Sequence, residues 1–149
     1  MTMTPKHTAL HDEHAKLGAS FTDFGGWDMP LKYGSVLAEH RAVRETAGLF
    51  DLSHMGEVWV EGPDAAVFLN TALVGNLAVV KVGKAKYSLI CDERGGIIDD
   101  LIVYRRSDDL FLVVPNAGNA PTVFSALRDR AAGFDVSVNM ISLFAFIVT

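Results

Sequence analysis

From Met55 onward the hydrophobic period switches to two, then to helical spacing and back, and this alternation limits the chain to few folds. Met55, Glu57, Trp59 and Glu61 oppose Gly56, Val58 and Val60, which predicts a half-buried strand ended by Gly62-Pro63. Pro63 suits the first turn of a helix reaching about Thr71, while the Gly- and Val-rich residues 74–83 fit no single class. Strands are predicted over about 85–91 and 97–105, joined by Asp92-Glu93-Arg94-Gly95-Gly96, and over 110–115 after the turn Ser107-Asp108-Asp109. A helix with Pro121 near its start spans Asn119 to Ala132, and Phe134 to Val138 reads as a last short strand. The order strand, helix, strand, strand, strand, helix, strand predicts an α+β fold. It is a ferredoxin-like antiparallel sheet with two packed helices and an extra strand.

Ahead of it lies an N-terminal helical extension. Thr8 is placed to cap a helix over about residues 9–17, with Leu10, His14 and Leu17 on one face. Phe24 to Tyr33, with Gly25-Gly26 and Pro30 among aromatics, reads as a structured loop. Ser35 caps a second helix whose stripe Val36, Leu37, His40, Val43, Ala47 ends at Gly48. With no repeat or linker between these parts, residues 1–149 read as a single domain.

Thirteen Lys and Arg against 18 Asp and Glu give 149 residues a net charge of −5. With no basic run to neutralise phosphates, nucleic acid is not expected as a partner. The longest apolar run, Ile141 to Val148 broken by Ser142, falls short of the roughly 20 residues of a membrane helix, so no membrane association is expected. Residues 1–14 match neither a secretory signal nor an organelle presequence. The lone Cys91 fits a reducing compartment, and cytoplasm is the expected location.

The most informative polar residues are Asp99 and Asp100, inside the apolar run Ile97 to Tyr104. Neighbours on a strand face opposite sides, so at most one lines any given cavity, and a carboxylate on a buried face is costly unless hydrogen-bonded. On residue physics alone, the favoured reading has one of them capping the Gly95-Gly96 turn or pairing with Arg105 and the other solvated. His7, His11 and His14, four and three apart, share one face of a helix. No carboxylate or cysteine is evident to complete a ligand set, so adventitious affinity is expected and no metal is assigned. Ser53 and His54 are neighbours whose side chains point apart, which sets aside a triad with Asp51. Asn116, after the apolar run from Phe111, offers its amide to a planar heterocycle or caps the next helix.

Four segments then stand in one order: Phe24-Gly-Gly-Trp-Asp-Met-Pro30; Glu39-His40 through Val43-Arg44 to Ala47-Gly-Leu-Phe-Asp-Leu-Ser-His-Met-Gly56; Lys86-Tyr-Ser88; and Gly95-Gly-Ile-Ile-Asp-Asp-Leu-Ile-Val-Tyr104. In these, over residues 8 to about 138, the chain resembles the N-terminal portion of the aminomethyltransferases (T-proteins) of the glycine cleavage system. The resemblance implies transfer of the methylene of a lipoyl-bound aminomethyl group, carried by the H-protein, to tetrahydrofolate with release of ammonia. It implies that Asp99 is the catalytic aspartate contacting the reactive part of the folate, that Asp100 faces away, and that Met55, Tyr87 and Asn116 line the folate cavity.

The family's proteins are longer, with two further regions closing around the folate and supplying a glutamate and an arginine absent here. The chain is therefore expected to be a truncated domain with an atypical segment over 139–149 and with apolar surface available for self-association. Asn76-Leu77 also stands where the family usually carries Asn-Asp. The alternative is a folate-binding or assembly module of the same family without catalysis. A related folate enzyme joined to a flavin domain is disfavoured because no dinucleotide fingerprint occurs, and the remaining possibility is an unstable remnant without function.

Overall fold

A computed structural model describes residues 4–141 and the backbone of 147–148. It divides into two compact units, Met55–Ser142 and Met1–His54 with Leu143–Thr149.

In the first unit, strands alternate with helices in the order read from the sequence. Because the N-terminal unit comes earlier in the chain, its elements are α1 (His11–Lys16), β1 (Ser20–Phe24), β2 (Trp27–Lys32), α2 (Val36–Glu45) and β3 (Phe50–Asp51). The Met55–Ser142 unit then runs β4 (Glu57–Glu61), α3 (Ala65–Ala72), β5 (Ala85–Cys91), β6 (Ile97–Arg105), β7 (Leu110–Pro115), α4 (Ala120–Arg130) and β8 (Ser137–Ile141). The last strand, β9 (Ile147–Val148), pairs with β3.

The five-stranded sheet has the order β5-β6-β7-β4-β8 with every neighbouring pair antiparallel. Without the edge strand β5, this is the ferredoxin-like arrangement. The alternation in β4 works as read: Val58 and Val60 are fully buried, and with Leu101, Val103, Phe111 and Val113 they form one sheet face. Phe68 and Leu69 of α3 and Val123 and Leu127 of α4 close over that same face, making one core. The undecided stretch 74–83 joins this core through Leu77 and Val80, and Asn70 Oδ1 accepts from the backbone N–H groups of Leu77 and Ala78.

Strand β8 begins three residues later than the expected strand, at Ser137 rather than Phe134. Phe134 instead packs its ring on Phe68, centroids 5.5 Å apart, and the chain enters the sheet only after turning there. Asn139, Met140 and Ile141, the start of the segment expected to be atypical, pair with Trp59, Val58 and Glu57; residues 142–146 and 149 of that segment lie outside the described residues.

Gly62, where β4 hands over to α3, has φ +146°, and a Cβ there would lie 2.2 Å from the Asp135 carbonyl oxygen. The obstacle is backbone and cannot swing aside. Gly62→Ala is expected to cost on the order of 3 kcal/mol, read as a lower urea midpoint with unchanged slope; a loss below about 0.5 kcal/mol would mean that this loop yields freely.

The N-terminal unit departs further from expectation. The stretch read as a loop is a hairpin, β1 with β2, closed by Gly25 and Gly26 at φ +61° and +86°. Two positive-φ residues between strands make a primed turn, which suits the strand twist. The first helix starts at His11 behind Leu10, because the Thr8 hydroxyl is drawn away to Asp51 rather than capping. Ser35 does cap α2, accepting from Ala38 N–H at 3.4 Å, but α2 stops at Glu45 and none of its residues is buried. Its apolar stripe is a face without a cover among the described residues: Leu37 is 78% exposed. Among the described residues no helix is long and apolar enough to cross a membrane.

Candidate functional site

The Asp99–Asp100 pair behaves as neither half of the residue-physics reading. The Gly95-Gly96 turn is capped by Asp92, whose Oδ1 accepts from Arg94 and Gly96 N–H at 2.9 and 2.7 Å. Arg105 donates to Asp108 and to the carbonyls of Ala78 and Val80.

Strand alternation sends Asp99 to the helix-covered face with Leu101 and Val103, and Asp100 to the opposite face with Ile102. Asp99 is only 3% exposed. The register of β6 with β7 sets Leu101 against Pro115, so Asn116, the next residue, arrives opposite the two aspartates. Its backbone N–H donates to Asp99 Oδ2 at 2.9 Å, and its Nδ2 donates to Asp99 Oδ1 at 3.0 Å and to Asp100 Oδ1 at 3.0 Å. Asn119, the residue before α4, adds a third donor to Asp99 through Nδ2 at 2.8 Å. Among the described residues neither carboxylate has an ion-pair partner. The buried carboxylate is therefore held by three N–H donors from the segment that leads into α4.

On the other face, Tyr87 of β5 stands against Ile102 and donates its hydroxyl to Asp100. That bond, and the charge of Asp100, raise the phenol's pKa and keep it a donor. The ring itself is 63% exposed. Asp100 lies on the opposite face of the sheet from Asp99, and one Asn116 amide ties the two. Met55 is half-buried and brought to this end of the sheet by its neighbour Gly56, whose N–H donates to the Pro115 carbonyl at 3.1 Å. A Cβ at Gly56 would meet Ala120 Cβ at 2.5 Å, so the approach requires glycine. Asp99, Asn116 and Tyr87 are joined by hydrogen bonds through Asp100, and Met55 stands one strand away. Asn119 was missed as a site residue; its only signal was a helix start.

A second polar cluster lies in the N-terminal unit. Asp51 Oδ2 accepts from Thr8 Oγ1 and contacts His14 Nε2, both at 2.8 Å, while Oδ1 accepts from Ser53 N–H and hydroxyl. His14 Nδ1 meets the Tyr33 hydroxyl at 2.6 Å. His14 is therefore a hydrogen-bonded link between Tyr33 and Asp51 and not a member of an apolar stripe. Burial raises the Asp51 pKa, but the bonds from Ser53, His14 and Thr8 outweigh it and the net shift is downward. Tyr33 is raised by burial and by the charges of Asp51 and Glu39. Tyr33 and His14 border a cavity of about 540 Å³ with Met29, Val43 and Phe50. His54 turns its ring toward the edges of Phe24 and Trp27, away from a triad.

The GCVT N-terminal domain family matches residues 10–148. The chain is 67% identical over 132 residues to the aminomethyltransferase of Corynebacterium aurimucosum, covering 89% of this chain and 36% of that protein. It is 69% identical over 134 residues to that of Corynebacterium jeikeium, covering 90% and 34%. The crystal structure of glycine cleavage system aminomethyltransferase T from Bartonella henselae superposes with a TM-score of 0.86 at 47% identity, covering 91% of this chain and 38% of that one. The chain thus spans just over a third of the length of the relatives it matches.

Proposed function

The chain belongs to the GCVT N-terminal domain family, within the aminomethyltransferases of the glycine cleavage system, and on that footing we propose that it forms the folate-contacting part of such an enzyme. The proposal takes residues 1–149 as one folate-binding domain. Its reaction is transfer of a methylene from an aminomethyl group on the lipoylated H-protein to tetrahydrofolate, with ammonia leaving.

The observation that carries this reading is the Asp99 carboxylate, buried yet unpaired with any cation among the described residues and oriented by Asn116 and Asn119. Oδ1 takes two donors and Oδ2 takes one, so one acceptor position remains for a ligand N–H. An acceptor fixed in advance holds a folate nitrogen in place without reorganising, and its negative charge stabilises positive charge that develops there during transfer. Asn116 and Asn119 orient Asp99. Met55 offers flanking surface to a planar heterocycle, while the Tyr87 ring lies on the opposite sheet face from Asp99, where it holds Asp100. The residues fit a ligand with N–H donors on a flat ring; tetrahydrofolate supplies the nitrogen that receives the carbon.

Supplying the chain with aminomethyl-loaded H-protein and tetrahydrofolate tests this. Formation of methylene-tetrahydrofolate that falls about 100-fold or more in Asp99→Asn is the expected result. Folate binding without turnover marks the non-catalytic module instead, and loss of both overturns the proposal. The exposed apolar stripe of α2 keeps self-association within the proposal; sedimentation velocity showing monomer at every concentration would count against it.

A further inference from the structure

Two of the three N-terminal histidines meet a carboxylate that the sequence pattern did not reveal. Lys6 fastens the N-terminal segment to β2: its N–H donates to Gly26 O and its carbonyl accepts from Asp28 N–H, both at 2.8 Å. That seam sets His7 beside Asp28, with Nε2 3.8 Å from Oδ2. His11, the first residue of α1, stacks on the His7 ring with centroids 3.7 Å apart and 7° between planes, and the Phe21 ring lies 4.6 Å from it. One ring nitrogen from each histidine and one Asp28 oxygen all lie within 4.8 Å of one another. A separate observation concerns His11: its Nδ1 is buried and has no hydrogen-bond partner among the described residues, a state shared there only by His54 Nδ1, which has no carboxylate or second histidine grouped with it. Buried polar atoms nearly always have a partner, so this one stands out.

We propose that His7, His11 and Asp28 bind one divalent transition-metal ion of the zinc class. Two imidazoles and one carboxylate are a borderline donor set that suits zinc; calcium and magnesium prefer oxygen ligands throughout. Metal–ligand bonds of about 2.0–2.2 Å need the three donor atoms to draw closer together and the stacked rings to fan apart. His7, with its side chain 51% exposed, has room to make that rotation. Water completes the fourth position. The ion ties the N-terminal segment, α1 and the β1–β2 hairpin together, so its role is structural and separate from the Asp99 cluster. His14 takes no part, since both its ring nitrogens are engaged by Tyr33 and Asp51.

Zinc chloride titrated calorimetrically into the tag-free, metal-stripped chain tests the site. The expected result is one ion per chain with a dissociation constant on the order of 1 µM, and a higher unfolding temperature with zinc than without. His7→Gln changes an exposed side chain and Asp28→Asn preserves shape, so both variants are expected to fold; each should weaken binding at least 30-fold, as should His11→Gln. His40→Gln, on the exposed α2, should leave binding unchanged. Zinc bound equally by all variants, at several ions per chain, or not at all would overturn the site. So would equal loss in His40→Gln.

Discussion

Asp99→Ala is expected to lower stability by about 3 kcal/mol, a drop in unfolding temperature on the order of 10 °C. Truncation strands three N–H donors, the Asn116 backbone and the Asn116 and Asn119 amides, beside a residue only 3% exposed. Leaving buried donors without an acceptor costs more than the bonds themselves contribute in net terms. Asp99→Asn keeps the volume and one acceptor oxygen but turns a second amide toward existing donors, so a smaller loss of about 2 kcal/mol is expected. Urea unfolding followed by circular dichroism checks both. If Asp99→Ala were as stable as the parent, the carboxylate would not be the anchor of this cluster.

Asp51→Ala is expected to cost a similar amount, about 3 kcal/mol at pH 7, for a related reason. The Asp51 side chain is 2% exposed and satisfies Thr8, His14 and Ser53 at once. Its effect also carries a pH signature. Because the folded-state pKa is lowered, folding favours the ionised form, so the contribution is complete above the unfolded carboxylate value of about 4. It is lost as pH falls through the lowered folded value. The stability gap between the parent and Asp51→Asn should therefore close as pH falls below about 4. A gap that persists unchanged at pH 2 would show that Asp51 is not ionised in the folded chain.

What was legible in the sequence followed from local pattern. Strands β5, β6 and β7 lay open because alternation and turn residues coincide at Asp92–Gly96 and Ser107–Asp109. The β1–β2 hairpin was obscured because Gly25-Gly26 and Pro30 interrupt the apolar pattern, although the same glycines are what close its turn. The stripe on α2 correctly marked a helix but said nothing about whether a covering surface was near. Asp99 drew notice as a carboxylate in an apolar strand. Of its donors Asn116 was noticed, as a ligand contact, but Asn119 was not, because it is 20 positions away and meets Asp99 only once β7 has returned beside β6. Asp51 was passed over for the same reason: its partners His14 and Thr8 lie 37 and 43 positions away. Asp28 reaches His7 only through the Lys6–Trp27 seam, which no periodicity records.

Calorimetric titration of tetrahydrofolate into the chain reads out whether the Asp99 cluster contacts folate. Gly62→Ala serves as a control, since it destabilises the same unit away from the cluster. Saturable binding at one site is expected in the parent and in Gly62→Ala, and none in Asp99→Ala, with all three confirmed folded at the temperature used. Binding that survives Asp99→Ala undiminished, or no binding in the parent, would contradict that contact.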